Sequence, residues 1–213
     1  MALDDLQEKI NHEIQWRVDE ISMIKTIPIL YPFSNKQKET WQKHSIPIFY
    51  SLWEGFVVEC FSHYSEEINS MELSKNDICL NLLTHSLDVE LNLKNGRVEF
   101  NTQKQLVNTI SNCFSKPIYL KKRVPTGSNV NLKAINDILT RFNLDSLPEN
   151  LYESKLNKLL KFRNSLAHGE FSIPITQESV DELSATVIEC MHAVAAKILD
   201  GCKNRTYMVN YRP

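Results

Sequence analysis

One stretch constrains this chain more than any other. From Asn35 to about Met71 the sequence reads as a single long helix studded with aromatics: Trp41, Phe49, Tyr50, Trp53, Phe56, Phe61 and Tyr64. So many large rings on one helix have to be covered by other elements, so this segment is expected to be the central helix of the core. Pro47 should kink it or mark where it properly begins. Upstream, Leu3, Leu6, Ile10, Ile14, Ile21 and Ile24 recur at intervals of three, four and seven with charges between them. That periodicity predicts an amphipathic helix of about 20 residues, ended by Pro28 and Pro32. Only 5 glycines occur in 213 residues, which disfavours a sandwich or barrel with many tight turns. The length suits a single domain spanning 1–213.

Downstream, Ser74 and Asp77 form a capping-box pattern opening a short helix through Leu83. The period then changes to two: Leu87, Val89, Leu91 and Leu93 alternate with polar residues, Asn95-Gly96 follows, and then Arg97-Val98-Glu99-Phe100. Alternation around Asn-Gly predicts a β-hairpin at about 87–100. Residues 102–114 read as helix, and 115–128, with Pro117, Pro125 and Gly127, as loop. Leu132 to Phe142 is a short helix. Pro148 opens another that runs to about His168, where Gly169 and Pro174 stop it. Thr176 opens a last helix through Leu199, and 203–213 is a polar tail expected to be loose. The expected fold is mainly α, a helical bundle with a small hairpin insertion.

The net charge of −2 excludes a globally basic nucleic-acid binder but not a local basic patch. The five cysteines, at 60, 79, 113, 190 and 202, contain no CxxC pair and read as reduced thiols of a cytoplasmic protein. The early charges of MALDDLQEK argue against a secretory signal, and no apolar run is long enough to span a bilayer. Metal sites fare poorly: Cys60 with His63, and Glu189 with His192, each offer half a site, so no metal or other cofactor is expected. No Walker A loop, G-x-G-x-x-G or GxSxG occurs.

The segment Leu156 to His168 carries chemistry. At about 100° per residue, Arg163 and Asn164 fall among the leucines of the apolar face, while Lys155, Lys158 and Lys161 point elsewhere. A guanidinium there is costly unless paired or set beside a cleft. Two readings stand: an Arg ion-paired inside the core with a satisfied terminal His168, or an Arg and a His presented together at a groove. Asn164, one turn before His168, is placed to hydrogen-bond it.

Arg163-Asn164-Ser165-Leu166-Ala167-His168, followed by Gly169, resembles the R-x4-6-H motif of HEPN nucleases, with the polar residue that usually follows the Arg. Trp53-Glu54-Gly55-Phe56 on the long helix upstream adds to the similarity, which is to the RiboL-PSP/MAE_28990-type bacterial branch and covers most of the chain. The resemblance implies a HEPN-like antiparallel helical bundle that forms homodimers, with two motifs meeting in one cleft. It also implies a metal-independent endoribonuclease of the toxin or antiviral-defence kind, with RNA as substrate and an antitoxin or defence-system protein as possible partner. Arg163 and His168 become catalytic residues and Asn164 their polar companion. Glu54 either orients Arg163 or faces solvent, and Lys121, Lys122 and Arg123 either hold RNA phosphates or are simply solvated. Trp41 and Trp53 read as core. Some members carry, two residues after the His, a Tyr that a partner nucleotidyltransferase adenylylates; Glu170 stands there instead. A catalytically silent HEPN scaffold binding a partner protein or nucleotide is the alternative.

Overall fold

A computed structural model describes residues 2–91, 105, 108, 110, 117–169 and 175–209. The described helices are α1 (Ala2–Leu30), α2 (Asn35–Ser70), α3 (Leu80–Leu91), α4 (Leu132–Arg141), α5 (Glu149–Ala167) and α6 (Gln177–Asn204). Four of them, α1, α2, α5 and α6, make the bundle.

Paired positions set the directions. Trp41 Nε1 donates to the Ile24 carbonyl at 2.9 Å, and Arg17 Nε to that of Leu52 at 3.0 Å, so α1 and α2 run antiparallel. Lys158 pairs with Glu182 and Lys155 with Glu189, so α5 and α6 are antiparallel too. Gln42 meets Gln177 near the start of both α2 and α6, and Gly201 lies against Tyr64 near their ends, so these two run parallel. Residues 31–34 link the antiparallel pair α1 and α2 directly, whereas α3 and α4 intervene between α2 and α5.

Helix α2 is central. It buries Phe49, Tyr50, Trp53, Phe56, Val57, Cys60, Phe61, Tyr64 and Ile68, a stripe at helical spacing. A capping box starts it: Ser34 Oγ accepts from the Gln37 N–H, and the Gln37 side chain accepts from the Ser34 N–H. Pro47 lies inside the helix rather than at its start. Asn131 and Thr176 cap α4 and α6 in the same way, accepting from the N–H groups of Ala134 and Ser179.

Four expectations change. Ser74 and Asp77 pair in a turn, and the helix beyond them starts only at Leu80. Helix α1 continues past Pro28 to Leu30; the proline removes one hydrogen bond only a turn from the end. Residues 87–91, expected as the first strand of the hairpin, belong to α3 instead. An alternating run can satisfy its backbone within one helix, whereas a lone hairpin needs a surface to pack on. The rest of the 87–100 segment lies outside the described residues, as does most of the helix expected at 102–114. Finally, α6 runs on to Asn204, and the described part of the tail docks. Thr206 and Tyr207 are buried, Met208 bridges to Ile78, and the Val209 N–H donates to the Asp77 carbonyl at 2.9 Å. Among the described residues no helix is long and apolar enough to cross a membrane.

Arg17 is an unexpected member of the core, only 3% exposed. It donates to the Glu13 carboxylate and carbonyl and to Leu52, and its guanidinium carbon lies 4.1 Å from the Trp16 ring centroid. Gly55 lies against it: a Cβ there would sit 3.4 Å from Arg17 Nη2, an ordinary contact. Burial alone would raise the Glu13 pKa, but hydrogen bonds from Arg17 and Trp16 and the charge of Arg17 outweigh it, so the carboxyl stays below its ordinary value of 4.5.

Two predictions follow from this packing. A depressed folded-state pKa stabilises above the unfolded value and loses its effect as pH falls through the folded one. Thermal melts should therefore find Glu13→Gln less stable than wild type at neutral pH, with the gap closing well below pH 4.5; a gap that stays constant would remove the ion pair from the stability argument. At Gly201 a Cβ would meet Leu144 Cδ2 at 2.1 Å and Thr206 Oγ1 at 3.2 Å. Helix propensity favours alanine there by about 1 kcal/mol, but overpacking costs about 1–3 kcal/mol. The net for Gly201→Ala is a loss of up to about 2 kcal/mol, read as a melting temperature lowered by up to roughly 8 °C.

Candidate functional site

The last turns of α5 meet the middle of α2 and the segment that leads into α4. Leu156, Leu159 and Leu160 are buried and fix the face that α5 turns inward. That places Arg163 half-buried at the edge of the core rather than inside it. Its guanidinium carbon lies 4.5 Å from the centroid of the Tyr50 ring. Nη1 donates to Asn164 Oδ1 at 2.8 Å and Nη2 to the Ser128 carbonyl at 3.4 Å. Among the described residues no carboxylate forms a salt bridge with Arg163. The buried ion pair of the described residues is that of Arg17 with Glu13, and Arg163 lies at the edge of the core.

Asn164 also differs from expectation. Its side chain accepts from Arg163 rather than reaching His168. The link between the 164 and 168 positions is a backbone one, the His168 N–H donating to the Asn164 carbonyl at 3.0 Å. His168 is the C-cap of α5, followed by Gly169 at φ +74°, a left-handed conformation that ends the helix. Its side chain is exposed. Arg163 and His168 therefore stand at one end of one helix, the first anchored and the second presented.

Tyr50 joins these parts. The residue is 2% exposed, and its hydroxyl oxygen accepts from the Val130 N–H at 3.0 Å. Trp53 Nε1 donates to the carbonyl of the same Val130, also at 3.0 Å. Burial raises the Tyr50 pKa above its ordinary value of 10.0, the Val130 contact opposes this, and the Glu54 carboxylate adds to the rise. The phenol keeps its proton at any physiological pH. Glu54, half-buried and one turn after Tyr50, acts on Tyr50 rather than pairing directly with Arg163. Trp53 belongs to the core, as expected.

Lys121, Lys122 and Arg123 are exposed on the loop before α4. Lys122 forms an ion pair with Glu66, and Leu120 is tied to Asn69 through both its N–H and its carbonyl. Glu66 lies 16 positions beyond Tyr50 in the same helix, about 24 Å along the axis. The basic run is thus not brought to Arg163; the downstream end of the same loop, Ser128 to Val130, is. The outer face of that end, from Thr126 through Asn129 and Asn131 to Lys133, lines a groove of ≈ 340 Å³.

The half-sites for metal do not assemble: no group of three or more His, Cys, Asp or Glu among the described residues could hold an ion. Cys60 is buried, and burial pushes its thiol far up. Sequence reasoning missed Tyr50, Ser128 and Val130. The available signal was Tyr50 followed four residues later by Glu54, a ring with a polar tip and a carboxylate on one side of the central helix, and it reads equally well as core.

The family model for MAE_28990-like HEPN domains matches residues 6–207. No curated protein and no solved structure matches the chain. The matched span takes in every helix of the bundle and the whole Arg163–His168 segment, and the chain belongs to the MAE_28990-like HEPN family.

Proposed function

We propose that the protein is a metal-independent endoribonuclease acting as a homodimer, with Arg163, Asn164 and His168 of two protomers facing one RNA strand. RNA brings its own nucleophile. One His168 removes the 2′-hydroxyl proton as the oxygen attacks phosphorus, and the bond to the 5′-oxygen breaks. The His168 of the second protomer gives that leaving oxygen its proton. The products are a 2′,3′-cyclic phosphate and a 5′-hydroxyl end, with no net proton consumed. An imidazole suits both transfers near neutral pH. Arg163 supplies a planar, permanently charged fork for the phosphorane oxygens, and Asn164 fixes one arm of it. A two-fold axis supplies the two imidazoles from one gene product.

The observation that carries this reading is the state of the pair in a chain of this family: a guanidinium with no described carboxylate partner, five residues before an exposed histidine at a helix end. Glu54 supports the site through Tyr50. Lys121, Lys122 and Arg123 serve as outer phosphate contacts along the strand, Lys122 sharing its charge with Glu66. The proposed setting is a cytoplasmic toxin or antiviral-defence system, with an antitoxin or defence-system protein as partner. A second reading, an inactive HEPN scaffold for a partner protein, is favoured by one feature. Ile29, Leu30 and Tyr31 are 81%, 71% and 61% exposed in succession, an apolar ridge of the kind that marks interaction sites.

RNA cleavage in EDTA by wild type, Arg163→Ala and His168→Ala decides between them. Wild type should leave 2′,3′-cyclic ends, spare the all-deoxy analogue, and lose ~10²-fold or more in rate with either substitution. Equal cleavage by all three, or none by wild type on total cellular RNA, would sink the enzyme and leave the scaffold.

A further inference from the structure

Arg163 needs something outside its own helix to fix it. Asn164 adjoins it in sequence and moves with the same helix, so their 2.8 Å hydrogen bond holds the fork's shape but not its place in the protein. The contact from Nη2 to the Ser128 carbonyl is long, at 3.4 Å. The remaining fix among the described residues is the ring of Tyr50, 4.5 Å from the guanidinium carbon. Tyr50 is itself immobilised, buried in α2 with its hydroxyl accepting from Val130. Resting on the proposed ribonuclease reading, we infer that Tyr50 is the positioning residue of the site: its ring face holds the Arg163 guanidinium, and its hydroxyl holds the Ser128–Val130 backbone that borders it.

The chemistry fits that division. A guanidinium on a flexible stem is pre-organised by stacking on a rigid aromatic face, which spares ordering cost when phosphate arrives. Stacking occupies the face of the guanidinium and leaves its in-plane N–H groups for hydrogen bonds, the geometry that phosphate oxygens require. With its proton retained, the phenol takes no part in acid–base chemistry, so Tyr50 acts only through Arg163. The hydroxyl also couples the site to the 126–131 segment: if Val130 shifts, Ser128 and its carbonyl shift with it, and the groove lined by Thr126 and Asn129 changes shape.

Tyr50→Leu removes ring and hydroxyl, whereas Tyr50→Phe keeps the ring. Both should lower the melting temperature, because both leave the Val130 N–H unsatisfied. Cleavage should separate them: Tyr50→Leu loses ~10–100-fold in kcat with KM changed little, and Tyr50→Phe restores most of that loss. A purely structural Tyr50 would make rate follow stability in both. The inference is overturned if Tyr50→Leu cleaves as well as wild type, or if Tyr50→Phe is as slow as Tyr50→Leu. An independent measurement needs no turnover and no fragile variant: the Arg163 Nε–Hε resonance of wild type, assigned by its disappearance in Arg163→Lys. Ring stacking should displace it upfield of the exposed Arg123 and Arg205, Arg17 being set aside because it lies over the Trp16 ring; a position among those two also overturns the inference. If wild-type protein cleaves no RNA, the proposed function fails by itself, and the resonance still decides whether Tyr50 holds Arg163.

Discussion

A single buried residue, Val130, ties the candidate site to the bundle. Val130 lies outside any helix, yet it is fully buried, so neither its N–H nor its carbonyl can turn to water. An unpaired group of this kind costs about 1–3 kcal/mol. Two rings of α2 meet the need: the Tyr50 hydroxyl accepts from the N–H, and the Trp53 indole donates to the carbonyl. Both rings bury a large apolar body while offering one polar atom, a combination that phenylalanine and leucine lack. The segment before α4 is therefore clamped onto the central helix at the level where α5 brings up Arg163.

The two arginines of the bundle show how burial decides role. Arg17 is enclosed between α1 and α2 and has a full set of partners: the Glu13 carboxylate and carbonyl, the Leu52 carbonyl and the faces of Trp16 and Phe56. Its charge is neutralised where it lies, and removing Glu13 would strand it. Arg163 has a ring beneath it, a neutral amide and one distant carbonyl. No carboxylate among the described residues forms an ion pair with it. The same side chain is ion-paired in one position and, among the described residues, without a carboxylate in the other, and the difference is Glu13, one helical turn from Arg17.

Much of this architecture was legible along the chain. The limits of α2, α4 and α5 were readable, because caps, glycine stops and aromatic periodicity are local signals. Two misreadings also have local causes. Pro28 reads as a stop, although a proline near a helix end removes only one hydrogen bond. Leu87, Val89 and Leu91 alternate as a strand would, but a period of two is not binding when the same residues can complete their hydrogen bonds within α3. The tail at 203–209 reads as polar and loose because two of its anchors, Ile78 and Asp77, lie far away in sequence.

The amino-acid order by itself determined that the chain is helical, that one aromatic helix is central, and that an arginine and a histidine share the end of another helix. Each of these depends on neighbours within about one or two turns, where periodicity and capping act. Which arginine is neutralised and which is presented, and that Tyr50 rather than Glu54 touches Arg163, was decided only by tertiary structure. Those outcomes depend on pairs such as 17 with 52, 50 with 163 and 53 with 130. Their meeting is a matter of how the helices turn their faces toward one another, and no local spacing records it.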